Sequence, residues 1–312
     1  MSAKSLVHIL RVTGYDKELY EELSKVLDKN TALKTIDSKS TITIKINLCD
    51  ARPPETGAIT HPMLLDLTLK YFRERYGFSL RIYVVESDGI VALPDFFVKW
   101  FGFTEIIKKW KAIYLNISKD HDYCIIYKPE NYVLKRIPVH KVVFNSDVIV
   151  SHAKLKTNSL TKITGCLKNM FGCLPYVYKN RLHPYIDYVI ADINNTIKPN
   201  VCIIDGIISH VGVTGPALGE PIKSNILLVS DDPVAIDSVA AQLLGFKPYE
   251  VKHIFLSWKL RIGDIKPLIA YNNKIYYKAP FSIYSPNRVI WLIYRSGSYL
   301  RRYYLRRYRK SL

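Results

Sequence analysis

Cysteine is sparse and scattered in this 312-residue chain: Cys49, Cys124, Cys166, Cys173 and Cys202, with no C-x-x-C pair. That spacing excludes a locally encoded zinc site, a ferredoxin-type cluster and a disulfide framework. A reducing, cytoplasmic setting is the expectation. Long apolar runs are also missing. The opening MSAKSLVHILRV is too short in apolar residues for a secretory signal, and VIWLIY near the other end is too short for a bilayer. A soluble protein is therefore expected. Glutamine occurs once, at Gln242, and no internal repeat stands out. No acidic residue follows Asp264, whereas eleven lysines and arginines do, so much of the net charge of +18 lies in a segment with nothing to offset it.

What is present is core-forming material: 48% of residues are hydrophobic, enough for one large α/β domain without covalent staples. Five β-rich runs end on polar residues. TITIKIN ends at Asn47, RIYVVES at Glu86 and Asp88, DVIVSH at His152, NVCIID at Asp205 and ILLVSD at Asp231. Such runs separated by helical segments predict a mostly parallel sheet with helices on both faces. Ligands of open α/β sheets bind beyond the carboxyl ends of the strands, so these side chains are expected to ring one crevice. Residues 41–86 read as a βαβ unit whose helix starts at Thr60-His61-Pro62. Residues 112–137 read as a small antiparallel addition, with strand-like pieces near 112–116, 122–127 and 132–137. Asp232 is placed as an N-cap, with Pro233 at the first helical position and Gly245 past the end. The division expected is an α/β domain over 1–264 and a basic tail over 265–312.

Several residues suit chemistry. Lys154 and Lys156, followed by Asn158, Ser159 and Thr161, read as a strand exit and a helix start near Asn158, an arrangement that favours a phosphate or carboxylate. The alternative is two solvated surface lysines. Lys168, beside Asn169 in an otherwise apolar helical stretch, suits proton transfer or a Schiff base, or simply a lysine snorkelling off a helix face. Asp237 falls among Val234, Ala241 and Leu244 on its helix, so it wants a cation, Lys168 or a metal, unless backbone amides satisfy it. His61 reads as an acid or base, or as a cap. His152, Asp205 and Asp232 are a candidate set for a hard divalent metal. In the tail, Arg295, Arg302, Arg306 and Arg309 fall opposite an apolar side, giving a basic C-terminal helix suited to non-specific RNA or an anionic membrane surface, or one docked by its apolar side.

The stretches IKINL, THPML, VVESDG, AKLKTNSLTKITGCLKNMFG, VCIIDG, TGPALGEP and SDDPVAIDSVAAQLLG resemble the signature blocks of the domain of unknown function 362 family, over about residues 41–247. The resemblance implies Asn47, His61, Lys156, Lys168, Asn169, Asp205, Gly215, Asp232 and Asp237 as family-typical positions. Many members carry ferredoxin-like cysteine clusters, which this chain lacks. Members tend to have histidine after K-x-K-T, where this chain has Asn158. Three functions follow as expectations: an enzyme acting on a small anionic metabolite, with proton transfer by lysine or histidine; a binding or scaffold protein attached through its tail; and redox work with a partner that supplies an iron–sulfur cluster.

Overall fold

The computed structural model describes residues 4–90, 92–213, 219–291 and 293. Its strands are β1 (Leu6–Arg11), β2 (Thr41–Lys45), β3 (Arg81–Glu86), β4 (Ile113–Asn116), β5 (Tyr123–Tyr127), β6 (Arg136–His140), β7 (Val148–Asn158), β8 (Lys162–Ile163), β9 (Val201–Val211), β10 (Glu220–Ser230), β11 (Leu268–Tyr271) and β12 (Lys274–Tyr276). The α-helices are α1 (Lys17–Leu27), α2 (Pro62–Tyr76), α3 (Pro94–Trp100), α4 (Phe103–Lys109), α5 (Lys141–Phe144), α6 (Gly165–Asn169), α7 (Ile186–Thr196), α8 (Pro233–Leu243) and α9 (Lys252–Lys259).

A ten-stranded sheet runs in the order β12-β11-β1-β10-β9-β7-β2-β3-β4, with β8 attached to β7, and β5 and β6 form a separate antiparallel pair. Side chains alternate across the sheet. Ile42, Ile44, Val150 and Ile203 point into the core shared with α1 to α4. Ala153, Leu155, Cys202 and Ile204 point into the opposite core, with α6, α8 and α9. The mostly parallel sheet with helices on both faces and a small antiparallel addition is thus present. β4, expected in the antiparallel addition, joins the main sheet beside β3. The βαβ unit is β2-α2-β3, whose strands are parallel neighbours.

Three expectations need correction. β10 runs antiparallel to β9, with Leu227 opposite Asp205 and Ser230 opposite Cys202. Its polar end, Asp231, therefore lies at the opposite rim from the ends of β2, β3, β7 and β9; a buried apolar run has the same composition in either direction. The helix expected near Asn158 is also absent. β7 continues as strand through Asn158 because its backbone still has partners: Lys154 pairs with Asp205 and Lys156 with His210, and Asn158 turns back onto Lys162 of β8. Helix begins only at Gly165. Finally, residues 268–276, assigned to the tail by charge, add β11 and β12 to the main sheet. Arg295, Arg302, Arg306 and Arg309 lie outside the described residues, as does Gly215.

Candidate functional site

The ends of β2, β3 and β7 open onto a cavity of about 320 Å³. Lys45, Lys156, Lys168 and Lys179 line it, with Glu86 as the one carboxylate among its lining residues. Its depth is graded by burial. Lys45, Lys156 and Asn169 are almost fully buried, whereas Ile90 and Val177 at the other extreme are exposed.

Lys45, Lys156 and Lys179 are each held by a distinct device. Lys45 Nζ sits 2.6 Å from Glu86 Oε1 and donates to the Ile46 carbonyl. Glu86 is fixed in turn, because its two oxygens accept from the backbone N–H groups of Leu48 and Ser87. Glycine at residue 172 leaves room for this pair: a Cβ there would stand 2.6 Å from Lys45 Cε and 2.9 Å from Glu86 Oε1, and the side chains would have to shift. Lys156 Nζ donates to Asn47 Oδ1 at 2.7 Å and to the Ala58 carbonyl at 2.5 Å. Asn47 Nδ2 donates to Asn169 Oδ1, and Asn169 Nδ2 donates to the Lys45 carbonyl, so the deep end is one polar network. Lys179 Nζ donates to Ser87 Oγ and to the carbonyls of Asp88 and Tyr176. Burial lowers its pKa to about 8, while Glu86 pulls it back up. Lys168 is half-buried at the C-terminal end of α6.

The model of the family described as Domain of unknown function (DUF362) matches residues 42–242. The chain belongs to that family. A thylakoid-associated protein of Synechocystis sp. is 28% identical to this DUF362 chain over 129 residues, which are 39% of this chain and 40% of that protein. The match thus spans well under half of the relative's length. A Thermotoga maritima protein of known structure covers 80% of this chain and 60% of its own at 13% identity, with a TM-score of 0.41.

Of the positions that the resemblance marks in this DUF362 chain, Asn47, Lys156, Lys168 and Asn169 line the cavity, as does Asn158. Asn158 Oδ1 accepts from the Leu160 and Thr161 backbone, holding the β7–β8 turn. The cavity lining does not include His61, Lys154 or Asp237. Lys154 is fully buried, with its ammonium 2.9 Å from Asp205 Oδ2, and the Tyr15 hydroxyl donates to the same carboxylate. It therefore faces an internal carboxylate, which corrects the expectation of an anion at a helix start. His61 caps α2, with Nδ1 accepting from the Met63 N–H, and its ring stacks on Tyr15 at 4.0 Å. Asp237 accepts from the backbone N–H groups of Cys166 and Leu167, so the N-terminus of α6, and neither a metal nor Lys168, is the partner described for it.

The metal set does not assemble. Asp232 caps α8 and accepts from Ser5 Oγ and the Asp264 N–H. It lies five residues on from Leu227, the partner of Asp205, and two residues past the end of β10. Among the described residues no group of three His, Cys, Asp or Glu is placed to hold a metal ion. Nor is any helix among them long and apolar enough to cross a membrane.

His152 is fully buried, and burial drives its pKa down to about 4. Its Nε2 meets Thr68 Oγ1 at 3.2 Å, and Nδ1 has no partner among the described residues. The folded protein thus keeps this ring neutral where the unfolded chain protonates it, and the stability it contributes is lost as pH falls from about 6.5 to 4. His152→Gln is expected to be less stable than the parent at pH 8, and the gap should narrow by about 3 kcal/mol by pH 4 in denaturant titrations. Asp237, whose carboxyl burial pushes up to about 8, contributes with the opposite slope, but it is common to both proteins and cancels. A gap independent of pH would show that His152 titrates normally.

Sequence reasoning missed Lys45, Lys179, Phe171 and His183 in the lining. Lys45 carried a signal, a lone cation inside an apolar β-run two residues before Asn47. Lys179 carried none, because nothing local in LPYVYKNRLHPY ties it to Ser87 and Asp88, the residues it meets.

Proposed function

We propose that this protein binds a small phosphorylated or carboxylated metabolite in the crevice beyond β2, β3 and β7, and acts on it by proton transfer. The observation that carries this reading is the imbalance of charge in the cavity: four lysines face it and one carboxylate. Low-dielectric walls magnify such an imbalance, and an anion with acceptor oxygens is its natural complement. The deep network of Lys45, Glu86, Asn47, Asn169 and Lys156 supplies a rigid polar floor. Lys179, with its pKa near 8, is the acid–base group best matched to neutral pH, and Lys168 is the cation best placed to meet the anion.

Calorimetric titration with inorganic phosphate and pyrophosphate tests it. Lys168→Ala is expected to weaken binding about tenfold, the order of one charge-assisted contact. If neither anion binds the parent, or Lys168→Ala binds both unchanged, the reading fails.

Attachment to RNA or an anionic membrane surface through the tail is a separate proposal, supported by the eight lysines and arginines, with no acidic residue, that follow residue 286. Truncation at residue 286 should abolish sedimentation with anionic vesicles or RNA yet leave phosphate binding intact.

A further inference from the structure

The crevice has buried lysines at its deep end and, towards its mouth, apolar residues beside polar ones, with Ile90, Val177 and Asn180 exposed. Ile90 and Val177, both exposed, belong to its lining, with Ala92 and Phe171 more buried. The apolar surface does not stop at the opening. Past Ile90 the chain enters α3, where Leu93 at the N-cap, Phe96 and Trp100 recur at spacings of three and four and so share one helix face. All three are exposed, Trp100 by 76%. Their neighbours Phe97 and Val98 are buried in the core, so the helix is seated and its other side is left uncovered. Val177, also in the cavity lining, is flanked by Tyr176 and Tyr178, both exposed. Exposed apolar residues scattered singly need no explanation, but a run of them that follows directly in the chain from the cavity lining at Ile90 and Ala92 does.

A wholly polar metabolite would use the lysines and leave this wall without a partner. We propose that the anion is the head of an amphiphile, a phosphate or carboxylate whose apolar chain leaves past Ile90 and Val177 and lies along Leu93 and Phe96. This rests on the reading of the crevice as an anion site and adds its substrate class. The floor selects the head through Lys45, Lys156 and Lys168, and the wall and rim select the chain by removing it from water.

Methyl, butyl and octyl phosphate, all below their micellar concentrations, are titrated into the full-length protein by calorimetry. Octyl phosphate is expected to bind about a hundredfold tighter than methyl phosphate, the gain for burying roughly half of the added methylenes. The double variant Leu93→Ser/Phe96→Ser, altered only at exposed positions, should lose most of that gain and bind methyl phosphate as the parent does. Lys168→Ala should weaken all three ligands by the same factor. Equal affinities for methyl and octyl phosphate would overturn the amphiphile and leave the anion site standing. Octyl phosphate binding that ignores Lys168→Ala would also overturn it, because the chain would then adsorb without its head. If no phosphate binds, the inference falls together with the anion site.

Discussion

Asp205→Ala is expected to lose about 3–5 kcal/mol of unfolding free energy in urea titrations, the usual cost of stripping the partner from a buried charge. Both members of the Lys154–Asp205 pair are fully buried at 2.9 Å, and Lys154 Nζ has no other acceptor among the described residues. Burial already pulls the Lys154 pKa down, and Asp205 is what holds it up. Without the carboxylate the lysine must give up its proton or draw water into the core, and the Tyr15 hydroxyl loses its acceptor as well. The double variant Lys154→Met/Asp205→Leu should recover most of the loss, since a packed apolar pair needs no compensation. A single-variant loss under about 1 kcal/mol with no coupling between the two sites would mean that the pair is solvated in solution.

Asp237→Ala should cost a similar amount, about 3–5 kcal/mol, for a different reason. The carboxylate satisfies two backbone N–H groups at the start of α6, and its removal leaves both donors and a cavity inside the packing of α6 against α8. The local backbone is built around it. Gly165 begins α6 at a φ of +63°, and a methyl group there would overlap the Asp237 carboxyl. α6 also carries Lys168 and Asn169 into the crevice. Asp237→Ala is therefore expected to weaken phosphate binding even below its unfolding transition, whereas Asp205→Ala, whose side chain does not line the cavity, should change affinity little. Asp237→Asn should fall between, keeping one acceptor and setting an amide N–H₂ against the other donor. Parent-like stability in Asp237→Ala would show that the start of α6 is satisfied without this side chain.

Much of the architecture could be read from residue order. Lys17–Leu27, the βαβ unit and the Asp232-Pro233 helix start have local causes: helical spacing, a proline at the first turn and a capping carboxylate, which act over a few residues. Strand direction has no such cause. The run ILLVS would bury equally well either way, and only its pairing with β1 and β9 sets it antiparallel. The same limit explains Lys154 and Lys156. A strand pairing at long range overrode the helical spacing of Leu160, Ile163, Leu167 and Phe171, and it carried the two lysines inside the protein rather than to an exit. Of the candidate site, Lys156, Lys168, Asn158 and Asn169 were legible from composition and spacing. Lys45 carried only the signal of a lone cation in an apolar run and Lys179 carried none, because what brings them to the crevice is Glu86 and Ser87, residues distant in order that converge only after the sheet has formed.

The position of β1 reaches beyond the crevice. It lies between β10 and β11, pairing with the first through His8 to Arg11 and with the second through Leu6 to His8. Residues 42–242, the stretch the family model matches, include β10 but neither of the strands that cover that flank. Cut out alone, the stretch would present Ile226 to Val229 as a bare hydrogen-bonding border, a template for sticking to other copies. In this chain the matched stretch therefore depends on a short N-terminal strand to cover its border.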